Sequence, residues 1–158
     1  MKLWASLLRT PGVRFFIKIF TSTRLRIEGN SMSPTYSHGD HILVDKEKYH
    51  HNKPKRGDVV LFHHPVLGNK QAIKRVIGLP GELIRATNYG SFSLEISIPN
   101  FENLDSLTYI ELLIEKDEYF LIGDNAIDSL DSRRIGPVKL NLIRGKVWFK
   151  YWPINFRV

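Results

Sequence analysis

The chain has 158 residues, which is enough for one domain with a modest insert and too few for two ordinary domains. It contains no cysteine, so disulfides, thiolate metal sites and a cysteine nucleophile are excluded. The formal net charge of +7 favours a partner with negative charge, either nucleic acid or an anionic membrane surface.

The N-terminal segment, residues 1–24, is both basic and aromatic. Six basic residues fall within the first 28 positions, and Glu28 is the only acid there. This mixture favours contact with a membrane surface over nucleic-acid binding. Charged residues and Pro11 interrupt every apolar window of about 20 residues, so neither a transmembrane span nor a cleaved signal sequence is predicted. The alternative is that its apolar side chains cover the domain's own core, namely Phe15, Phe16, Ile19 and Phe20.

Residues 25–158 have the pattern of a single all-β domain, because short apolar runs alternate with clusters of turn residues. Strands are predicted at 25–27, 41–44, 58–62, 71–77, 82–86, 119–122 and 146–151. The stretch from about 85 to 116 has few turn dipeptides and several acids, and we interpret it as an inserted flap.

A candidate nucleophile, Ser31, lies in the segment GNSMSPT at 29–35. Pro34 fixes its own φ and restricts the residue before it, while Gly29 allows close approach of the backbone. Such a frame could present the Ser31 hydroxyl and aim the Ser31 N–H at a developing oxyanion. The alternative is an ordinary turn serine, which is the commoner meaning of such a motif when it stands alone.

A candidate base, Lys74, interrupts the apolar strand predicted at 71–77. Strand alternation places Ala72 and Val76 on the same face as Lys74, so the amine has small apolar neighbours. An exposed lysine titrates near ~10.4, and keeping it neutral at pH 7 costs about 4.6 kcal/mol unless burial lowers its pKa. The alternative is a solvated lysine on an edge strand, which is the commoner case for an isolated motif of this kind.

A third segment, residues 123–133, is denser in small polar residues than a hairpin turn requires. A second hydroxyl in this segment could fix the direction of the lysine amine, while Asp131 and Arg133 could pair and hold the loop. The alternative is a polar turn whose side chains bond to its own backbone.

The six histidines are interpreted as surface or loop residues. None has the i, i+4 spacing around a glutamate that marks a zinc hydrolase. No Gly-rich phosphate loop or dinucleotide motif is present either. No metal and no cofactor are therefore expected.

Taken in order, the three segments resemble the type I signal peptidase family. The motifs that carry the resemblance are GxSMxPT at 29–35, KRVIGxPG at 74–81, and GDN with SxDSR within 123–133. The likeness extends over about residues 27–153 and includes GD at 39–40, RGDVV at 56–60 and YWP at 151–153.

The resemblance implies roles for five side chains. Ser31 would be the nucleophile and Lys74 the general base. Ser129 would orient the lysine, and Asp131 and Arg133 would form a supporting ion pair. The resemblance also implies a fold of coiled antiparallel β-sheets.

The same resemblance implies how a substrate would be held. Residues 71–73, with Gln71 and Ile73, would line the cleft together with Met32. The Ser31 N–H would provide most of the oxyanion stabilisation, because Gly29 stands where some members of the family have a serine. The substrate would be a precursor protein whose extended segment adds to the cleft as a strand.

The predicted function is that of a membrane-associated serine endopeptidase that cleaves signal or leader peptides, attached peripherally because no transmembrane anchor is predicted. One alternative is a cytoplasmic maturation peptidase for a dedicated substrate such as nickel superoxide dismutase, as the short soluble relatives of this family are. The other is a non-catalytic basic β domain that binds RNA or anionic lipid.

Overall fold

The computed structural model describes residues 10–68, 70–87, 94–97 and 109–153. Within these ranges the elements in chain order are α1 (Pro11–Thr21), β1 (Thr23–Arg26), β2 (His41–Asp45), β3 (Val59–His63), β4 (Gln71–Gly78), β5 (Leu83–Thr87), β6 (Leu94–Ser97), β7 (Tyr109–Leu113), β8 (Glu118–Ile122), α2 (Ser132–Ile135), β9 (Val138–Lys139), a 3₁₀ turn (Leu140–Leu142) and β10 (Ile143–Trp152). Parts of two sequence predictions lie outside the described residues, namely positions 1–9 of the N-terminal segment and 88–93 and 98–108 of the insert.

Seven strands form one antiparallel sheet in the order β1-β2-β10-β3-β4-β8-β9. Three of its pairings contain register shifts: β10 with β2, β10 with β3, and β4 with β8. Such bulges increase the twist of a sheet. The sheet curls, so β1 and β4 line the same cleft although three strands separate them. The predicted all-β fold of coiled antiparallel sheets is confirmed.

β3 runs through the middle of this sheet and is buried on both faces. Val59 and Leu61 belong to the core cluster next to the cleft, whereas Val60 and Phe62 belong to the cluster on the opposite face. This position explains why residues 59–62 are continuously apolar, since a strand covered on both sides has no solvent face to supply alternation.

β5, β6 and β7 form a second, three-stranded antiparallel sheet with β5 in the centre. The two sheets meet at Gly78, where an added Cβ would lie 2.8 Å from Phe120 Cβ and 2.9 Å from Ile84 Cδ1. A larger residue there would force the sheets apart. The insert predicted at about 85–116 overlaps these three strands, and its division from the rest of the domain stays a prediction.

Helix α1 docks against β2 and β10 at the edge of the large sheet. The Lys18 amine lies 3.3 Å from the Asp45 carboxylate and 4.4 Å from the centre of the Trp148 ring. The indole N–H of Trp148 donates to the Ser22 hydroxyl at 2.9 Å, and Phe15 meets the Trp148 ring edge-on at 5.8 Å. These contacts fix the helix through its polar and aromatic side.

Phe16 and Phe20 face solvent, which differs from the alternative that they cover the core, whereas Phe15 packs partly on Trp148 and Ile19 is half-buried. We call Phe15, Phe16, Phe20 and Phe149 the aromatic face; their exposed fractions are 45%, 61%, 76% and 42%. Phe16 and Phe20 are four residues apart and lie on one side of α1. None of the helices within the described residues has the length and apolar composition that a membrane crossing requires.

Candidate active site

Ser31 lies in a loop of residues 28–38, here called the serine loop, which connects β1 to β2. Two backbone hydrogen bonds close its base, from Ile27 N–H to the Asp40 carbonyl at 2.8 Å and from Gly39 N–H to the Ile27 carbonyl at 2.9 Å. Met32 is 1% exposed and anchors the loop in the core beneath it. The serine is therefore held at the rim of the sheet by buried neighbours.

Lys74 projects from β4 into the same place and is 3% exposed. Its Nζ lies 2.6 Å from the Ser31 Oγ and also donates to the Ile73 carbonyl at 3.0 Å. Burial removes water from the amine and lowers the pKa of Lys74 to about 8, although Asp131 and Asp124 oppose the shift. With that pKa, the neutral amine at pH 7 costs only on the order of 1 kcal/mol.

The third segment, residues 123–133, packs against both of these groups, and we call it the support loop. The Asn125 N–H donates to the Ser31 carbonyl at 3.0 Å. An added Cβ at Gly123 would lie 2.5 Å from the Ser31 carbonyl oxygen and would also collide with Ser129. Only glycine lets the serine loop and the support loop approach this closely.

Asp131 is fully buried at the centre of the support loop. Its carboxylate accepts from Arg133 Nε at 2.8 Å, Arg133 Nη2 at 2.7 Å and the Gly123 N–H at 2.9 Å. Burial alone would raise the pKa of Asp131, but these hydrogen bonds outweigh it and hold the pKa below its usual value. The structure thus brings Asp131 and Arg133 together as an ion pair with bidentate geometry.

Ser129 is 3% exposed and has a different hydrogen-bond partner from the expected one. Its hydroxyl donates to the Asp131 carboxylate, and no hydrogen bond to Lys74 is found among the described residues. Ser129 therefore acts on Lys74 indirectly. Its hydroxyl holds the Asp131 carboxylate, and the charge of that carboxylate raises the pKa of Lys74.

A second ion pair was not assigned from the sequence. Arg75, the neighbour of Lys74, donates to Asp124 through Nε at 2.8 Å and Nη2 at 2.6 Å. Arg75 also donates to the Gly57 carbonyl at 3.0 Å and lies 3.4 Å from the Thr35 hydroxyl of the serine loop. Arg75 and Asp124 both stand in the motifs that carry the resemblance, and strand alternation places Arg75 on the face of β4 opposite to Lys74. The opposite charges of Arg75 and Asp124 were the sequence signal that could have predicted this ion pair.

The Ser31 backbone N–H is the donor that the sequence predicts for an oxyanion. Among the hydrogen bonds of the described residues, none uses the Ser31 N–H, so this donor is available to a ligand. Gly29 has φ +83°, a conformation that favours glycine, and its N–H donates to His38 Nδ1 at 3.2 Å. Gly29 shapes the approach to Ser31, and its own N–H is engaged elsewhere.

A cleft of about 400 Å³ opens beside Ser31 and Lys74. Its walls include residues 25–28 and 71–74, and Met32, Gln71 and Ile73 all line it. β1 is the outer strand of the sheet. β4 pairs with β3 along residues 71–75 but with β8 only from residue 75 onward, so one edge of 71–74 has no strand partner among the described residues.

The family model and the similar proteins that match this chain point to the same family. The family model for signal peptidase, peptidase S26, matches residues 1–152. A signal peptidase I from Leptolyngbya laminosa is 36% identical over 151 residues, which cover 88% of this chain and 73% of that protein. The mitochondrial inner membrane protease subunit 1 of Homo sapiens is 33% identical over 127 residues, with 80% and 68% covered.

Solved structures are also similar. One of them, a crystal structure of a signal peptidase I from Enterococcus faecalis V583, is 28% identical and aligns with a TM-score of 0.44, covering 61% of this chain and 98% of that one.

Replacing Asp131 with Asn is expected to lower the free energy of unfolding at pH 7 by about 3–5 kcal/mol, because it leaves the nearly buried Arg133 without its counter-charge. Since the pKa of Asp131 is lowered by folding, its contribution is complete above the unfolded carboxyl pKa of ~3.9 and is lost as the pH falls further. Urea unfolding at pH 7 and pH 3 measures both values.

The matched control is Asp128→Asn, since Asp128 is exposed and accepts a single hydrogen bond among the described residues, from Asn125 at 3.3 Å. Equal unfolding midpoints for the two variants at pH 7, or a difference that grows toward pH 3, would contradict this account of the support loop.

Proposed function

The chain belongs to the signal peptidase family, peptidase S26, and we propose that it cleaves its precursor substrates with Ser31 as nucleophile and Lys74 as general base. The protein is a serine endopeptidase that removes signal peptides. One observation carries the proposal: a buried amine, with its pKa lowered to about 8, lies 2.6 Å from a serine hydroxyl at the edge of a cleft.

The reaction is acyl transfer in two stages. Neutral Lys74 takes the proton of Ser31 as the Oγ attacks the scissile carbonyl carbon, and the oxyanion accepts a hydrogen bond from the Ser31 N–H. Collapse of this intermediate breaks the C–N bond, and protonated Lys74 gives the proton to the leaving amine. A water molecule, deprotonated by Lys74, then attacks the ester and releases the new carboxylate with free Ser31.

The two ion pairs act as supports for this dyad. Arg75 and Asp124 join β4 to the support loop and to Thr35 of the serine loop. Asp131, held by Arg133, places a negative charge near Lys74, which favours the protonated amine that forms during each transfer. Neither pair touches the reacting atoms, so both are positioning groups.

The substrate would bind as an extended strand between β1 and the free edge of residues 71–74. Backbone groups on an unpaired strand edge supply hydrogen bonds to a peptide regardless of its sequence. Met32 and Ile73 line the cleft next to Ser31, and both belong to the buried core cluster. The resemblance to the type I signal peptidases implies substrates with small side chains before the cleavage site.

Contact with a membrane surface is also proposed, through the aromatic face. Exposed phenylalanines together with basic residues on one segment suit the boundary between lipid headgroups and acyl chains. The name of the human relative, an inner membrane protease subunit, agrees with this placement. The maturation peptidase and the non-catalytic basic domain are not favoured, because the relatives support signal-peptide cleavage.

Ser31→Ala and Lys74→Ala are each expected to reduce kcat by about 10⁴-fold or more, since the nucleophile and its base act as one unit. The measurement is cleavage of a precursor protein followed by mass spectrometry of the products. Ser33→Ala, two positions away in the same loop, is the control and should retain activity. Retention of full activity by either dyad variant would rule out the proposed chemistry.

Replacing both Phe16 and Phe20 with Ser is expected to weaken binding to phosphatidylcholine vesicles containing phosphatidylglycerol by tenfold or more, because each buried phenyl ring contributes about 1.5–3 kcal/mol. Both rings face solvent, so the fold should persist. Ile127→Ser is the control, since Ile127 is 89% exposed and lies outside the aromatic face. Vesicle co-sedimentation in which all three proteins bind equally would refute this contact.

A further inference from the structure

His64 is a buried polar side chain for which the catalytic scheme has no role. It follows β3 directly, is 1% exposed, and lines the cleft beside residues 70–74. Its ring lies 5.7 Å from the ring of Phe62, and its backbone N–H donates to the Lys70 carbonyl at 2.8 Å. Burial and these two contacts hold the His64 ring in place.

Both ring nitrogens of His64 have a backbone partner. The Val66 N–H donates to Nδ1 at 3.3 Å, so Nδ1 is an acceptor and carries no proton. In the neutral ring the proton then resides on Nε2, which faces the Leu130 carbonyl oxygen at 3.3 Å. The imidazole thus bridges the turn after β3 and the support loop.

Leu130 occupies a critical place in the support loop. It stands between Ser129, whose hydroxyl donates to Asp131, and Asp131, which carries the ion pair with Arg133. A displacement of Leu130 would move both neighbours, because a peptide bond joins it to each of them. The contact with His64 links the Leu130 carbonyl to the wall of the cleft.

We propose that His64 is a positioning residue, which donates from Nε2 to the Leu130 carbonyl and thereby holds the support loop against the cleft wall, so that Lys74 stays enclosed. This inference rests on the proposed Ser31–Lys74 dyad. His64 takes no proton from the substrate, since both of its nitrogens are occupied and the Ser31 hydroxyl is already in contact with Lys74.

The enclosure of Lys74 is the property that this bond controls. Removal of water is the largest cause of the lowered pKa of Lys74. The charged groups that face the amine are Asp131 and Asp124, which raise its pKa, and Arg133, which lowers it. A loosened support loop admits water, and the pKa of Lys74 then moves upward toward that of an ordinary lysine.

Two substitutions distinguish the hydrogen bond from His64 to Leu130 from the packing of the His64 side chain. In His64→Gln, the amide Nε2 can occupy the position of the imidazole Nε2 and still donate to Leu130. In His64→Asn, the Oδ1 can take the place of Nδ1 and accept from Val66, but nothing reaches Leu130. Thermal unfolding of each variant verifies that the fold, including the turn after β3, persists.

The experiment measures kcat/KM from pH 6 to 10 for the full chain, its two His64 variants and Ser31→Ala, on a peptide that spans a signal-peptide cleavage site. The acid limb of kcat/KM reports ionisation of the free enzyme. We expect a midpoint near 8 for the wild type and for His64→Gln. For His64→Asn we expect a midpoint about one pH unit higher and activity at pH 7 about tenfold lower, with the high-pH plateau retained.

Each other result overturns the inference. A wild-type midpoint in His64→Asn, or equal shifts in both variants, would show that the bond to Leu130 does not enclose the lysine. Loss of the high-pH plateau in both variants would make His64 a participant in proton transfer. Full activity of Ser31→Ala would instead refute the dyad itself, which keeps the two failures distinguishable.

Discussion

The buried contact between the Lys74 amine and the Ser31 hydroxyl is the interaction on which the rest of the structure depends. In water the neutral amine would cost about 4.6 kcal/mol at pH 7. Burial lowers the pKa of Lys74 to about 8 against the opposing charges of Asp131 and Asp124, and so removes most of that cost. The curled sheet, the buried Met32 and the closely packed support loop all serve that enclosure.

Enclosure and catalysis set opposite demands on charge near the lysine. An apolar site keeps the amine neutral and basic, but the protonated amine that forms during each proton transfer needs a counter-charge. Asp131 serves both demands, because its negative charge favours the protonated amine while Arg133, which holds the carboxylate through two hydrogen bonds, opposes that effect. Arg75 and Asp124 repeat this arrangement on the opposite face of β4, where they join three chain segments.

The alternation of apolar and polar residues predicted the strands and the face of β4 from which Lys74 projects. Contacts between segments that are distant in the sequence could not be predicted in this way. The strand predicted at 71–77 agrees with β4, and alternation places Ala72 beside Lys74 as expected. The two-residue β9 has no periodicity to detect. The partner of Ser129 and the bridge from His64 to Leu130 depend on how the support loop folds back on the sheet, which spacing along the chain does not specify.

The most direct test of the central claim is an NMR titration of the protein labelled with ¹³C at the lysine Cε positions, with Lys74→Arg used to assign the resonance. Lys74 is expected to titrate with a midpoint near 8. A lysine in a model peptide titrates near ~10.4. A Lys74 resonance that titrates at the model-peptide value would contradict the claim that the fold makes the neutral amine accessible beside Ser31.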